Sequence, residues 1–258
     1  LHHSCMSYFH ILILSFVEGL TEFLPVSSTG HLILTNHFLG LESSEFSKAF
    51  DVIIQFGAIA AVIVIYKERF KINLEFYKKL FIGFLPAAII GFLGKKLVSD
   101  MMESATVVAW ALIVGGVIMI ITDWFFSRKG EENQPVTNKN AFIIGLSQCL
   151  ALIPGVSRSA STIVSGQMVG LSKKDAAEFS FFLAVPTLTA ATLYKFWKIR
   201  DIVHTEHLAQ LAVGIVLSFI FAIFAIRFFL AIVKNYGFKW FGVYRIILGA
   251  IVLFTFKS

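Results

Sequence analysis

Glu18-Gly19-Leu20-Thr21-Glu22-Phe23-Leu24-Pro25-Val26-Ser27-Ser28-Thr29-Gly30-His31 interrupts an apolar run that extends from about Tyr8 to Leu39. Proline has no N–H to donate, and hydroxyl side chains compete for backbone groups, so this stretch breaks a helix. Each remaining half is too short to cross a hydrocarbon core of about 30 Å at a rise of about 1.5 Å per residue. A short helix, a polar break and a second short helix are stable at membrane depth only where the break lines a cavity inside protein. A second apolar run, about Ala141 to Val169, is broken in the same manner by Pro154-Gly155-Val156-Ser157-Arg158-Ser159. Both runs read as re-entrant helical hairpins.

Around the hairpins, six apolar runs are long enough to span: about Phe50 to Tyr66, Leu80 to Leu97, Ala105 to Phe126, Ala177 to Phe196, Leu208 to Val233 and Trp240 to Phe256. The composition agrees, with 57% hydrophobic residues, 15% charged and a mean hydropathy of +0.80, too apolar for a soluble domain of this length. The formal charge of +6 does not point to nucleic acid, because Lys and Arg cluster in the short gaps between apolar runs. Cys5 and Cys149 are far apart, and Cys149 sits in an apolar stretch, so no disulfide framework is implied.

The two halves resemble each other. Gly19-Leu20-Thr21-Glu22 matches Gly145-Leu146-Ser147-Gln148 at an offset of 126, Pro25 and Ser28 match Pro154 and Ser157 at 129, and Gly40-Leu41 matches Gly170-Leu171 at 130. Gly83 pairs with Gly214 at 131 and Gly115 with Gly249 at 134. Each half holds one hairpin and three spanning helices, and that odd number inverts the second copy, the plan used by transporters whose broken helices meet near the midplane. The expectation is a single all-α polytopic membrane domain over residues 1–258, with internal repeats at about 8–126 and 141–256. Counted by side, the basic residues favour the face carrying Lys67, Arg69 and Lys173 over the face carrying Lys48, Lys95 and Lys257, which places both termini outside.

The charges inside the breaks carry the chemistry. Glu18 and Glu22 are four apart, so their carboxylates share one helix face. At membrane depth each costs about 2.5–3.5 kcal/mol. A hard divalent cation or a cluster of donors relieves that cost, as an arginine partner or escape to an interface would. Ser27, Ser28 and Thr29 can cap the second half-helix, and His31 lies three residues beyond Ser28, where it can orient or deprotonate a hydroxyl. Arg158 is a guanidinium at membrane depth among Ser157, Ser159, Ser161 and Thr162, a set suited to a phosphate. Brought together by pseudosymmetry, these groups suit phosphoryl transfer, with Ser28 or an activated water as the nucleophile.

At these two motifs the sequence resembles the integral-membrane undecaprenyl-diphosphate phosphatases linked to bacitracin resistance. The resemblance runs through Glu18 to His31 and Pro154 to Ser159 and extends over essentially the whole chain. It implies hydrolysis of undecaprenyl diphosphate to the monophosphate, dependence on Mg²⁺ or Ca²⁺, and an active site opening to the outer face of the bacterial inner membrane. By matching positions it implies functional roles for Glu18, Glu22, Ser28, His31, Ser157, Arg158 and Thr162, with Ser27, Thr29 and Ser159 around the phosphate and Arg245 as a further phosphate contact. The implied partners are a polyprenyl diphosphate and the bilayer, with a homodimer allowed and no nucleic acid. The family's second motif has Gly where Ala160 stands here, which would strain the backbone only if that position had a positive φ.

Two other classes compete. A transporter shares the inverted repeat and the midplane charges, but does not require Ser28 and His31 beside two carboxylates. The membrane phosphatases built on a Ser-Gly-His motif match Thr29-Gly30-His31 superficially, and no histidine follows Arg158 at short spacing.

Overall fold

The computed structural model describes residues 6–41, 44–71, 73–102, 104–129, 134–201, 203 and 205–256; Cys5 and Lys257 fall outside it. All regular structure among these residues is helical. In chain order the helices are α1 (Tyr8–Thr21), α2 (Ser28–Phe38), α3 (Glu45–Ile53), α4 (Gln55–Ile65), α5 (Leu74–Leu93), α6 (Lys95–Met102), α7 (Ala105–Lys129) and α8 (Asn138–Gln148). A 3₁₀ turn at Cys149–Leu152 follows, then α9 (Arg158–Met168), α10 (Lys173–Ile199), α11 (Thr205–Tyr236) and α12 (Lys239–Thr255).

Among the described residues, five segments are long and apolar enough to cross a membrane: Glu45–Ile65, Leu74–Leu93, Ala105–Phe126, Lys173–Ile199 and His207–Val233. The sixth expected span is α12, whose 17 residues reach about 26 Å at 1.5 Å per residue. It begins at Lys239, one residue before the expected Trp240 and just after Gly237, whose φ of +69° turns the chain sharply at the end of α11. Caps also move the other boundaries. Ser44 forms a capping box with Ser47 and begins the first span at Glu45 rather than near Phe50. Asn73 caps α5 and Gly94 ends it, so that span runs earlier than Leu80 to Leu97.

Packing follows small residues. Cβ atoms built on Gly116 of α7 and Gly242 of α12 would each stand 2.6 Å from the other's carbonyl oxygen, so the two backbones can cross this closely only with glycine at both positions. Gly19 seats α1 on α11 at Ser218 and Phe221, and Gly145 seats α8 on α5 at Gly83. Helix α10 lies against α3, α4 and α9. Its Phe181 meets Phe23 edge-on at 5.2 Å between ring centroids, which carries the apolar core up to the first break.

Candidate active site

Both breaks end in the same local geometry. Ser27 has φ +70° and Ser157 has φ +75°, the only non-glycine residues with positive φ among those described. Each is the N-cap of the helix that follows. The Ser27 hydroxyl accepts from the Gly30 N–H at 3.3 Å, and the Ser157 hydroxyl accepts from the Ala160 N–H at 3.2 Å. Ala160 therefore sits inside α9 without left-handed strain. The structural partner of Ser157 is thus Ser27, not Ser28, and the partner of Ser28 is Arg158. Four added residues in the second copy, the 3₁₀ turn Cys149–Leu152, carry the offset from 126 at the carboxyl-bearing helix to 130 at the caps.

The first residue of each capped helix reaches one carboxylate. Ser28 donates its hydroxyl to Glu22 Oε2 at 2.7 Å, and Arg158 Nη2 donates to Glu22 Oε1 at 2.9 Å. This ion pair is buried, with side chains 9% and 6% exposed, so removing one partner leaves an uncompensated charge and costs about 3–5 kcal/mol. Arg158 Nη1 donates to the Ser180 carbonyl at 2.9 Å, and its plane lies over Phe23 at 5.6 Å. Its Nε–H is buried without a partner, which leaves one edge of the guanidinium open to an anion oxygen.

Glu18, one turn before Glu22, is fully buried, and its carboxyl oxygens have no partner besides the neighbouring Glu22 carboxyl. It lies within electrostatic reach of Glu22, Asp51 and Arg158. An orphaned, wholly buried carboxylate beside a second one fits a hard cation whose remaining ligands come from elsewhere. Among the described residues no three His, Cys, Asp or Glu side chains converge on one point, and Glu18 and Glu22 are the pair that could face such an ion.

The other sequence-derived positions divide. Thr29 is half-buried on the same turn as Ser28. Ser159 donates to the Leu24 carbonyl at 2.8 Å and lies 3.0 Å from the Ser157 hydroxyl, tying the second cap to the first break. Thr162 donates to Ser180 Oγ at 2.7 Å, so it supports the residue that holds Arg158. His31 does not bond to Ser28: its Nδ1 lies 2.8 Å from the Ser27 carbonyl and its Nε2 2.6 Å from the Tyr244 hydroxyl. Arg245 is fully buried and donates to the carbonyls of Pro25, Gly155, Ala111 and Leu112, so its guanidinium joins the two breaks to α7.

Ser180 and Tyr244 escaped the sequence reading. Ser180 stands in an apolar span with Phe179 and Phe181 on either side. Tyr244 carried one usable signal, its place next to an arginine inside a membrane helix.

A family model described as bacitracin resistance protein BacA matches residues 11–251. The undecaprenyl-diphosphatase of Bdellovibrio bacteriovorus is 53% identical over 251 residues, covering 96% of this chain and 95% of that protein. Those of Wolinella succinogenes and Porphyromonas gingivalis are each 46% identical, over 96% and 98% of this chain and 98% of each relative. Matched along nearly its whole length, this chain belongs to the bacitracin resistance protein BacA family.

Proposed function

We propose that this membrane enzyme hydrolyses undecaprenyl diphosphate to undecaprenyl phosphate and inorganic phosphate, the activity that its relatives' names carry. One observation carries the chemistry: Glu22 is held between the Ser28 hydroxyl and the Arg158 guanidinium, one from each half of the chain. At 2.7 Å from the hydroxyl, Glu22 is in place to take its proton as Ser28 Oγ attacks the terminal phosphorus. The bond from phosphorus to the bridging oxygen breaks, and its electron pair leaves with undecaprenyl phosphate. Arg158, through its open edge, and the free N–H groups at the start of α2 hold the phosphoryl oxygens. Water then displaces phosphate from Ser28, with His31 accepting its proton. Glu18, with Glu22 beside it, would hold the Mg²⁺ or Ca²⁺, which supplies charge neutralisation of the diphosphate. His31 thus moves from partner of Ser28 to partner of the second step.

The same reading makes α1–α2 and α8–α9 re-entrant hairpins entering from opposite faces of the inner membrane, with the site opening outward. Two features support inversion. Each half has an odd number of expected spans, and the helix contacts exchange between halves: α1 packs on α11 while its counterpart α8 packs on α5. Glu22 and the two groups that hold it come from one chain.

The decisive experiment measures phosphate release from detergent-solubilised polyprenyl diphosphate, with and without a chelator, followed by acid quench of labelled substrate. Metal-dependent turnover and a phosphoserine at position 28 are expected. No phosphate release from folded protein would overturn the function, and turnover without an adduct would hand the attack to water. Lys95→Cys and Lys174→Cys, in a background lacking Cys5 and Cys149, should label from opposite faces; labelling from the same face would remove the inversion.

A further inference from the structure

His31 is held at both ring nitrogens, and the second contact comes from Tyr244, 213 residues later in the chain. The Ser27 carbonyl can only accept, so Nδ1, 2.8 Å from it, carries the proton. In the neutral ring Nε2 is then a lone pair, and the Tyr244 hydroxyl 2.6 Å away donates to it. The rings also stack, with centroids 5.5 Å apart and planes within 10°. One contact fixes the tautomer, and the other two fix the ring's rotation.

We infer that Tyr244 is a positioning residue of the phosphatase reaction: it keeps the His31 Nε2 lone pair aimed at the border of the buried site, where a proton is to be received. The inference rests on the role proposed above for His31 in hydrolysing the Ser28 adduct. Tyr244 is 45% exposed and Ser28 only 8%, so the tyrosine reaches the protein surface while the nucleophile is enclosed. The Tyr244 hydroxyl occupies the place that the hydrolytic water needs. During the second step the water replaces the hydroxyl at Nε2, its oxygen bonds to phosphorus and its proton passes to Nε2, while the bond from phosphorus to Ser28 Oγ breaks, its electron pair stays on Oγ, and Oγ takes back the proton held by Glu22 at 2.7 Å. The stacked ring remains to hold the imidazole. With the opposite tautomer, two lone pairs would face each other at Ser27 and Nε2 could accept nothing. Arg245, the next residue, ties the Pro25 and Gly155 carbonyls, so consecutive residues of α12 anchor the breaks and aim the base.

Tyr244→Phe keeps the stack and removes the hydroxyl, which allows a double-mutant cycle with His31→Ala in purified protein. The readouts are kcat, KM, melting temperature and the ¹⁵N signals of the His31 ring. Tyr244→Phe should lower kcat about tenfold, leave KM and melting temperature near those of the parent, and mix the two neutral tautomers. In the His31→Ala background it should cost nothing further. Parent-like kcat in Tyr244→Phe, or the same loss with and without His31, overturns the positioning role. If His31→Ala itself retains parent activity, the reading of His31 fails first, and this inference falls with it.

Discussion

The two breaks share a cap and differ in cargo. Ser27 and Ser157 adopt the same left-handed backbone and accept the same N–H three residues on. At the next position the first copy has Ser28 and the second Arg158. One turn and two turns before the first break stand Glu22 and Glu18, whereas the second copy has Gln148, bonded to Thr187, and the apolar Ile144. The lesson is a division of labour between two breaks of the same shape. The first break supplies a hydroxyl and two carboxylates, the second supplies a guanidinium, and hydroxyl and guanidinium meet at Glu22.

The sharpest way to break this comparison is to remove what only the first copy has. Ser28→Ala should lower kcat by a factor of about 10³ or more, equivalent to about 4 kcal/mol of barrier, and abolish the phosphoserine. A folded variant keeping a tenth of its activity would reduce Ser28 to a binding hydrogen bond worth about 1–3 kcal/mol.

The counterpart substitution tests the second copy. Arg158→Lys keeps the charge but loses the planar fork that reaches Glu22 and Ser180 at once, and should cost about 10²-fold in kcat/KM. Near-normal turnover would show that charge alone suffices at this position.

The smallest effect probes what the copies share. Ser27→Ala and Ser157→Ala each remove one cap bond, and should each destabilise the protein by about 1 kcal/mol. Equal shifts in melting temperature are expected. A clear inequality would mean that the two caps are alike in shape only.

The membrane character and the two breaks were legible because apolar length and its interruption are local properties, and the charged members of the site were legible because an apolar run gives them no other reason to be there. The partners were not. Glu22 meeting Arg158 across 136 positions, or His31 meeting Tyr244 across 213, is fixed by how helices pack, which no short stretch encodes. The register of the repeat was read one residue out at Ser28 because a four-residue 3₁₀ turn is inconspicuous in an apolar segment. Arg245 shows the limit of reading a charge by type: its donors go to four backbone carbonyls, which are indistinguishable from any others in a sequence.

That arrangement of Arg245 has a consequence for the order of events during synthesis. The residues that meet at Glu22 lie before position 181, but the guanidinium that pins the Pro25 and Gly155 carbonyls together arrives on α12, the last helix described. A nascent chain emerging from the ribosome therefore holds Glu22, Ser28 and Arg158 long before it holds the rivet that ties their two breaks together. The last helix described is therefore also the one that fastens the two breaks together.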